Sequence, residues 1–197
     1  AQLLQREVAD FGATAHLIQG DLTDKDFAQG LIKAAKVECP HLNLLINNAS
    51  VFFPKTLDQT DAEVLDLFMD MHLKAPLLLT RDFARLCGSG QVINLVDSLT
   101  LQNPINYLPY ILSKKSLVDL TELSAKALGP EIRVNAIAPG YILPPVEGNE
   151  DVGERWIKRT PLARSGAVTD VTDALDALLD TPFLTGQILW LDGGHRL

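Results

Sequence analysis

LNLLINNAS, residues 42–50, is the stretch of sequence that decides the fold. Its first seven residues, 42–48, place leucine and isoleucine on both faces of an extended chain, which is typical of a central strand in a parallel sheet. A helical pattern over about 24–37 precedes this strand, and Asp21 to Asp24 supply side chains that cap helix N-termini. A second helical pattern follows over about 61–86. Helix, strand and helix in this order predict an alternating α/β architecture.

The same alternation continues along the chain. Besides the strand at 42–48, we expect strands at 13–19, 91–96, 132–138 and 187–191, and helices at about 107–128 and 169–180. A stretch rich in proline and glycine, 139–161, follows the strand at 132–138. Right-handed crossovers between such strands produce one doubly wound, Rossmann-like parallel sheet, which we expect to form a single domain over residues 1–197.

The composition is that of an ordinary globular domain, with 197 residues of which 47% are hydrophobic and 21% are charged. A net charge of -8, without any run of more than two lysines or arginines, disfavours nucleic acid as a partner. No run of about 18 apolar residues occurs, so we expect no membrane span. The amphipathic start of the chain does not have the form of a signal peptide.

The two cysteines, Cys39 and Cys87, do not form a CxxC motif, and the four histidines have no metal-ligand spacing. We therefore expect neither a metal site nor a disulfide framework. This use of cysteine favours a reducing compartment, and we expect the protein to be cytoplasmic.

Candidate site residues follow four of the expected strands, at the edge of the sheet where ligands bind in folds of this type. They are Asp21, the segment Asn47 to Ser50, the pair Asp97 and Ser98, and the pair Pro139 and Gly140. We expect these side chains to surround the functional site.

Tyr110 and Lys114 are four residues apart on the helix that follows the strand at 91–96, so their side chains share one face. An ammonium group beneath the phenol favours the phenolate, and we expect it to lower the pKa of Tyr110 from about 10 toward working pH. A tyrosine tuned in this way acts as an acid or a base. The YxxxK pattern is common by chance, and its position at a strand edge is what makes it informative.

Taken together, these residues resemble the short-chain dehydrogenase/reductase family over nearly the whole chain. Tyr110 and Lys114 match the family's active-site pair, and Leu191-Asp192-Gly193-Gly194 matches a motif near its end. The resemblance implies a nicotinamide cofactor. The residues that it assigns to cofactor binding are Asp21 and Leu22 at the adenine, then Asn47, Ala49, Ser50, Tyr110, Lys114, Pro139 and Gly140.

Two departures from the common family pattern narrow the resemblance. Asp97 stands where the family has a catalytic serine, thirteen residues before Tyr110, while Ser98 is out of register and points to the other face by strand alternation. In the segment Ser50 to Pro54, Ser50 stands where most members place a glycine after Asn-Asn-Ala, and Phe52 follows two residues later. Both departures resemble the pteridine reductase branch, which includes dihydromonapterin and dihydropteridine reductases.

The pteridine reductase resemblance implies a substrate site made of Ser50, Phe52, Asp97 and Tyr110. Phe52 would stack the pterin against nicotinamide, and Asp97 would hydrogen-bond the ring and relay protons. The implied cofactor is NADPH. Phe52 as a core residue, and Asp97 as a helix cap or a buried ion-pair partner, remain open alternatives.

His72 falls where the family has an asparagine that holds a water against the lysine. A histidine can also hydrogen-bond a water, so His72 is a candidate proton relay. A buried core histidine without a catalytic part is the alternative.

The sequence has no Gly-rich turn of the kind that holds a dinucleotide pyrophosphate. By the family's order, we expect a first strand, that turn, its helix and a second strand to precede Ala1, which corresponds to roughly 35–50 residues. A degenerate protein that binds no cofactor is the other explanation, and it is harder to reconcile with the presence of Asp97, Tyr110 and Lys114 together.

The leading functional prediction is an NADPH-dependent reductase of a pterin or similar flat heterocycle. An ordinary carbonyl or alcohol dehydrogenase, and a non-catalytic binding protein, are the alternatives. The helices at about 61–86 and 107–128 carry apolar residues on more than one face. Because family members commonly pair these two helices, we expect a homotetramer, or otherwise a dimer.

Overall fold

Four parallel strands form the sheet of the computed structural model, which describes residues 2–143 and 150–197. The strands are β1 (Leu44–Asn47), β2 (Gly90–Leu95), β3 (Ile132–Pro139) and β4 (Ile188–Leu191), and they lie side by side in chain order. In the register, Leu45 lies opposite Val92, which lies opposite Val134. All four carboxyl ends therefore meet at one edge.

Helices connect the strands. They are α1 (Gln2–Asp10), α2 (Lys25–Glu38), α3 (Ala62–Met69), α4 (Ala75–Cys87), α5 (Leu108–Leu128), α6 (Glu150–Arg159) and α7 (Val168–Asp180). No helix in the described part of the chain is long and apolar enough to cross a membrane. Apart from the corrections below, the expected elements are confirmed to within one or two residues at each end.

The core lies on both faces of the sheet. On one face Val92 and Val134 are buried with Phe83 of α4. On the other face Ile93 and Ile137 are buried with Leu178 of α7. Burying each such side chain stabilises the fold by about 1.5–3 kcal/mol. Helices on both faces confirm the doubly wound α/β prediction.

The strand expected at 13–19 is not formed, and this prediction is wrong. Residues 13–20 form no ladder, and among the described strands β1 pairs only with β2. A groove of about 390 Å³, lined by His16 and Ile18 and by the residues of β1, lies along this edge. A strand needs a neighbour about 4.8 Å away to pair its backbone groups, so a segment across a groove stays unpaired.

The helix expected over 61–86 is divided. A wide turn, Asp70–Lys74, joins α3 to α4, and in it the N–H of Ala75 donates to the carbonyl of Asp70, five residues earlier. Pro76 lies directly after this turn. Proline has no N–H to donate and its ring crowds the carbonyl four residues before it, so regular α-helical bonding is interrupted here.

The stretch at 139–161 contains α6, a helix that the sequence reading missed. Lys158 and Arg159 lie in its last turn, where positive charge is favoured by the helix dipole. Residues 144–149 of this stretch lie outside the described residues.

Candidate active site

Asp97 and Tyr110 form a hydrogen-bonded pair at the carboxyl end of β2. The Tyr110 hydroxyl donates to Oδ2 of Asp97 at 2.6 Å. Oδ1 of Asp97 accepts the N–H of Leu99 at 2.7 Å and so caps the short 3-10 turn Ser98–Leu101. The helix-cap alternative for Asp97 is therefore present on Oδ1, and this cap fixes the orientation of Oδ2, which faces Tyr110.

The protonation of this pair differs from the sequence expectation. Burial raises the pKa of Asp97, and its hydrogen bond from Tyr110 opposes that rise. Burial and the neighbouring charge of Asp97 raise the pKa of Tyr110 above its ordinary value of 10. The expectation that Lys114 lowers the pKa of Tyr110 is therefore wrong in this structure, because the carboxylate is the nearer charge.

Lys114 is buried beneath the pair, with 3% of its surface exposed. Its Nζ lies 5.9 Å from the centre of the Tyr110 ring and donates to the carbonyl of Leu95 at 2.8 Å. Burial lowers the pKa of Lys114 to about 8, while the charge of Asp97 opposes this. The shared helix face that the spacing predicts is present, but the ammonium lies over the ring and is held by the end of β2.

Phe52 forms the aromatic border of the site. Its ring stacks on Tyr107 at 4.8 Å between centroids, with 9° between the planes, and meets the Tyr110 ring edge to face at the same distance. Phe52 is 53% exposed. This exposure argues against the core alternative, since a core phenylalanine loses nearly all contact with solvent.

His72 and Ser50 lie beside Tyr110. The His72 Nε2 atom is 2.9 Å from the Ser50 hydroxyl, and the His72 Nδ1 atom is 2.8 Å from the hydroxyl of Ser113. Burial, together with the charge of Lys114, lowers the pKa of His72 to about 3. The ring is therefore neutral at ordinary pH.

Four of the expected cofactor residues lie in or near the groove beside β1, away from the Asp97–Tyr110 pair. Leu22, Asn47 and Ala49 line the groove beside β1. The Asn47 side chain is turned into the sheet, where its amide donates to Oδ1 of Asn94 at 2.8 Å. Asp21 is exposed, and hydrogen bonds from Thr23 lower the pKa of its carboxyl. None of the hydrogen bonds described for these four residues reaches Asp97 or Tyr110.

Pro139 is the last residue of β3, and Gly140 follows it beside β4. A Cβ at position 140 would lie 2.9 Å from the Cα of Asp192, so the close approach of these two chains requires glycine. The buried Ser98 hydroxyl is 3.6 Å from that same point and has no hydrogen-bond partner among the described residues. Ser98 therefore packs toward Gly140, while Asp97 contacts Tyr110.

Two residues near the pair were missed by the sequence reading. Ser113 links His72 to α5, and Tyr107 carries the stacking face for Phe52. Each lies three residues from Tyr110: Ser113 is about one turn further along α5, and Tyr107 is the residue directly before the helix. That spacing is the signal that identifies them.

A family model described as enoyl-(acyl carrier protein) reductase matches residues 1–196 of the chain. The chain belongs to the short-chain dehydrogenase/reductase family. In this short-chain dehydrogenase/reductase, Asp97 lies thirteen residues before Tyr110 and accepts its hydrogen bond.

Similar proteins include dihydromonapterin reductase of Citrobacter koseri, which is 28% identical over 190 residues, covering 94% of this chain and 79% of the relative. A solved structure of FolM alternative dihydrofolate reductase 1 from Brucella canis, complexed with NADP, has a TM-score of 0.93 and 31% identity, covering 99% of this chain and 78% of that one. The Brucella suis protein of the same name, also in complex with NADP, has a TM-score of 0.92 and 32% identity, covering 99% and 79%.

Proposed function

We propose that this short-chain reductase uses NADPH to reduce a dihydropterin or a similar flat, amino-substituted heterocycle. The observation that carries the proposal is the buried Asp97–Tyr110 pair beside the half-exposed ring of Phe52. An aromatic face suits a flat heterocycle, and a carboxylate suits its amino edge. The names of the similar proteins, which are dihydromonapterin and dihydrofolate reductases, support the same substrate class.

Residues at both the nicotinamide end and the adenine end of the proposed cofactor site fit NADPH. Of the three N–H donors on the Lys114 ammonium, the described structure assigns one, to the carbonyl of Leu95. The other two are available for the hydroxyl groups of a ribose. Leu22 and Ala49 line a common groove that runs along β1 and reaches its carboxyl end, which is the end of the sheet where dinucleotides bind in this fold.

Reduction of a C=N bond adds a hydride to carbon and a proton to nitrogen, and NADPH supplies the hydride. Tyr110 remains a phenol because its pKa is raised, so it holds a proton at its hydroxyl oxygen. Asp97 orients that hydroxyl through the 2.6 Å hydrogen bond and has a raised pKa of its own. The two groups form a coupled pair that delivers the proton and accepts another from solvent.

The test is steady-state NADPH oxidation with dihydromonapterin, dihydrobiopterin and a panel of simple ketones. We expect turnover with the pterins and little with the ketones. Reduction of ketones without reduction of pterins would show that the protein is an ordinary carbonyl dehydrogenase instead. If NADPH does not change the melting temperature and neither class of substrate is reduced, the result would favour the alternative of a non-catalytic protein.

Coenzyme affinity is expected to weaken as the pH rises through about 8. The pKa of Lys114 is lowered to about 8, so the donating ammonium prevails below this pH and the neutral amine above it. The loss should reach about tenfold, the scale of a hydrogen bond from a charged donor. Fluorescence titration of NADPH binding across this range measures it. Lys114→Ala should bind weakly at every pH, and Lys114→Arg, which stays charged, should show no step near 8.

Phe52→Ala is expected to raise the pterin KM about fivefold and to change kcat little. Stacking contributes about 1 kcal/mol to binding of the ground state. Phe52→Tyr keeps an aromatic face and is the matched control. An unchanged KM in the alanine variant would remove Phe52 from the substrate site.

The protein is expected to form a homotetramer. Exposed leucines lie on the outer surfaces of α3 to α5, namely Leu65, Leu77, Leu112 and Leu123. Exposed apolar residues on neighbouring helices are typical of a twofold interface. Light scattering at micromolar concentration measures the mass. A dimer would match the smaller of the two expected assemblies. A monomer would contradict the prediction.

A further inference from the structure

His72 lies in the wide turn Asp70–Lys74 and is almost completely buried, with 1% of its surface exposed. Wide turns of this kind inside helices occur frequently at functional sites. The turn brings the imidazole between the segment that carries Phe52 and the first turn of α5. Its ring meets the Tyr110 ring edge to face, with 5.5 Å between centroids.

The hydrogen bonds around His72 determine which nitrogen carries the proton. The backbone N–H of Val51 points to Nε2 at 3.2 Å, and a backbone N–H can only donate. Nε2 must therefore accept, so the proton of the neutral ring is on Nδ1. Nδ1 then donates to Ser113, whose hydroxyl donates in turn to the backbone carbonyl of Tyr110 at 2.8 Å. With Nε2 as an acceptor, the Ser50 hydroxyl 2.9 Å away also donates to it, so each donor in this set of hydrogen bonds around His72 has an acceptor.

We propose that His72 is a positioning residue that ties the segment Ser50 to Phe52 to the first turn of α5 and thereby sets the Phe52 ring against Tyr110. This inference rests on the proposed function, because the substrate lies where these rings meet. The Phe52 ring is half exposed, so burial holds it only weakly. The backbone immediately before it is held at Val51 by the His72 ring.

The alternative part for His72, a proton relay, is disfavoured by the same contacts. Both ring nitrogens already engage protein groups: Nε2 contacts the N–H of Val51 and the hydroxyl of Ser50, and Nδ1 contacts the hydroxyl of Ser113. A protonated Nε2 would place two N–H groups against each other. Lys114 and burial both act against the charged ring, so His72 does not exchange a proton near neutral pH.

Glutamine and asparagine variants separate the two sides of the ring. His72→Gln reaches the Nε2 position with an amide oxygen that can accept from Val51, whereas His72→Asn reaches only the Nδ1 position near Ser113. We expect His72→Asn and His72→Ala to raise the pterin KM about tenfold, the loss of about one hydrogen bond. We expect His72→Gln to restore KM to within about threefold, with kcat and NADPH affinity nearly unchanged in all three.

Equal loss in the glutamine and asparagine variants would overturn the proposal. So would a fall in kcat at unchanged KM, or a shift of the pH profile of kcat, since these are expected of a relay. Ser113→Ala is a second variant that leaves the imidazole in place. It should raise the pterin KM, as His72→Asn does. An unchanged KM would also contradict the proposed positioning part of His72.

A readout that does not depend on turnover distinguishes this inference from the proposed function. Long-range proton–nitrogen NMR correlations of the wild-type protein should show the His72 proton on Nδ1, with no titration down to about pH 5. A proton on Nε2, or titration near the ordinary histidine pKa, would overturn the proposed positioning part of His72. If the wild type reduces no pterin, the proposed function fails. The NMR result alone then decides whether His72 holds the N–H of Val51.

Discussion

Replacing Asp97 with serine is expected to lower pterin reduction by a factor of about a hundred or more. The substitution removes the charged acceptor for the amino edge of the heterocycle, which contributes about 1.5–3 kcal/mol, and it also removes one member of the proton-delivering pair. Serine can still cap the turn at Leu99, so the local fold should be retained. Measuring kcat/KM for dihydromonapterin in both proteins tests this.

Asp97→Asn is the matched control, because it preserves the shape and the capping oxygen while removing the charge. It should lose pterin reduction to a similar extent, and both variants should bind NADPH like the parent. The negative charge of Asp97 contributes to the raised pKa of Tyr110, so that pKa should fall in both. A serine variant that reduces pterins as well as the parent does would remove Asp97 from the site.

Tyr110→Phe is expected to lower kcat by at least about a hundredfold, which is the contribution of a general acid. The phenylalanine ring keeps the contacts with Phe52 and His72, so the shape of the site changes little. What is lost is the hydroxyl that holds the proton 2.6 Å from Asp97. Rates with saturating NADPH and dihydropterin measure the effect.

Tyr141→Phe provides the control for removal of a phenolic hydroxyl, since Tyr141 packs near Trp156 outside this pair. It should leave kcat within about twofold, because it touches neither Asp97 nor Lys114. NADPH affinity should be nearly unchanged in both tyrosine variants. If Tyr110→Phe retains most of the activity, the proton comes from another group and the assigned part of Tyr110 is wrong.

Much of the site was predictable because its members are local in sequence. Tyr110 and Lys114 share a helix face through a fixed spacing, and Asp97 directly follows a recognisable strand. Ser113 and Tyr107 were missed although the same spacing points to them. Their parts depend on His72 and Phe52, which come from other segments of the chain.

The strand expected at 13–19 shows where local pattern stops being sufficient. Its residues have the composition of a strand, but a strand exists only when a neighbouring backbone pairs with it. The division of the helix at 61–86 is a similar case. Pro76, which interrupts the helix, was visible in the sequence, but the contact that the resulting wide turn makes between His72 and Val51 joins two separate segments of the chain and has no local signal.

The sequence by itself determined the alternating α/β order, the parallel sheet and the residues gathered at its carboxyl edge, because hydrophobic periodicity and helix caps act over a few neighbouring residues. Only the tertiary structure decided their chemistry. Burial and the carboxylate of Asp97, 2.6 Å from the hydroxyl, raise the pKa of Tyr110. Burial lowers the pKa of Lys114, against the opposing effect of the Asp97 charge. Charge interactions and desolvation depend on distance and burial, and neither quantity is contained in the spacing of residues along a chain.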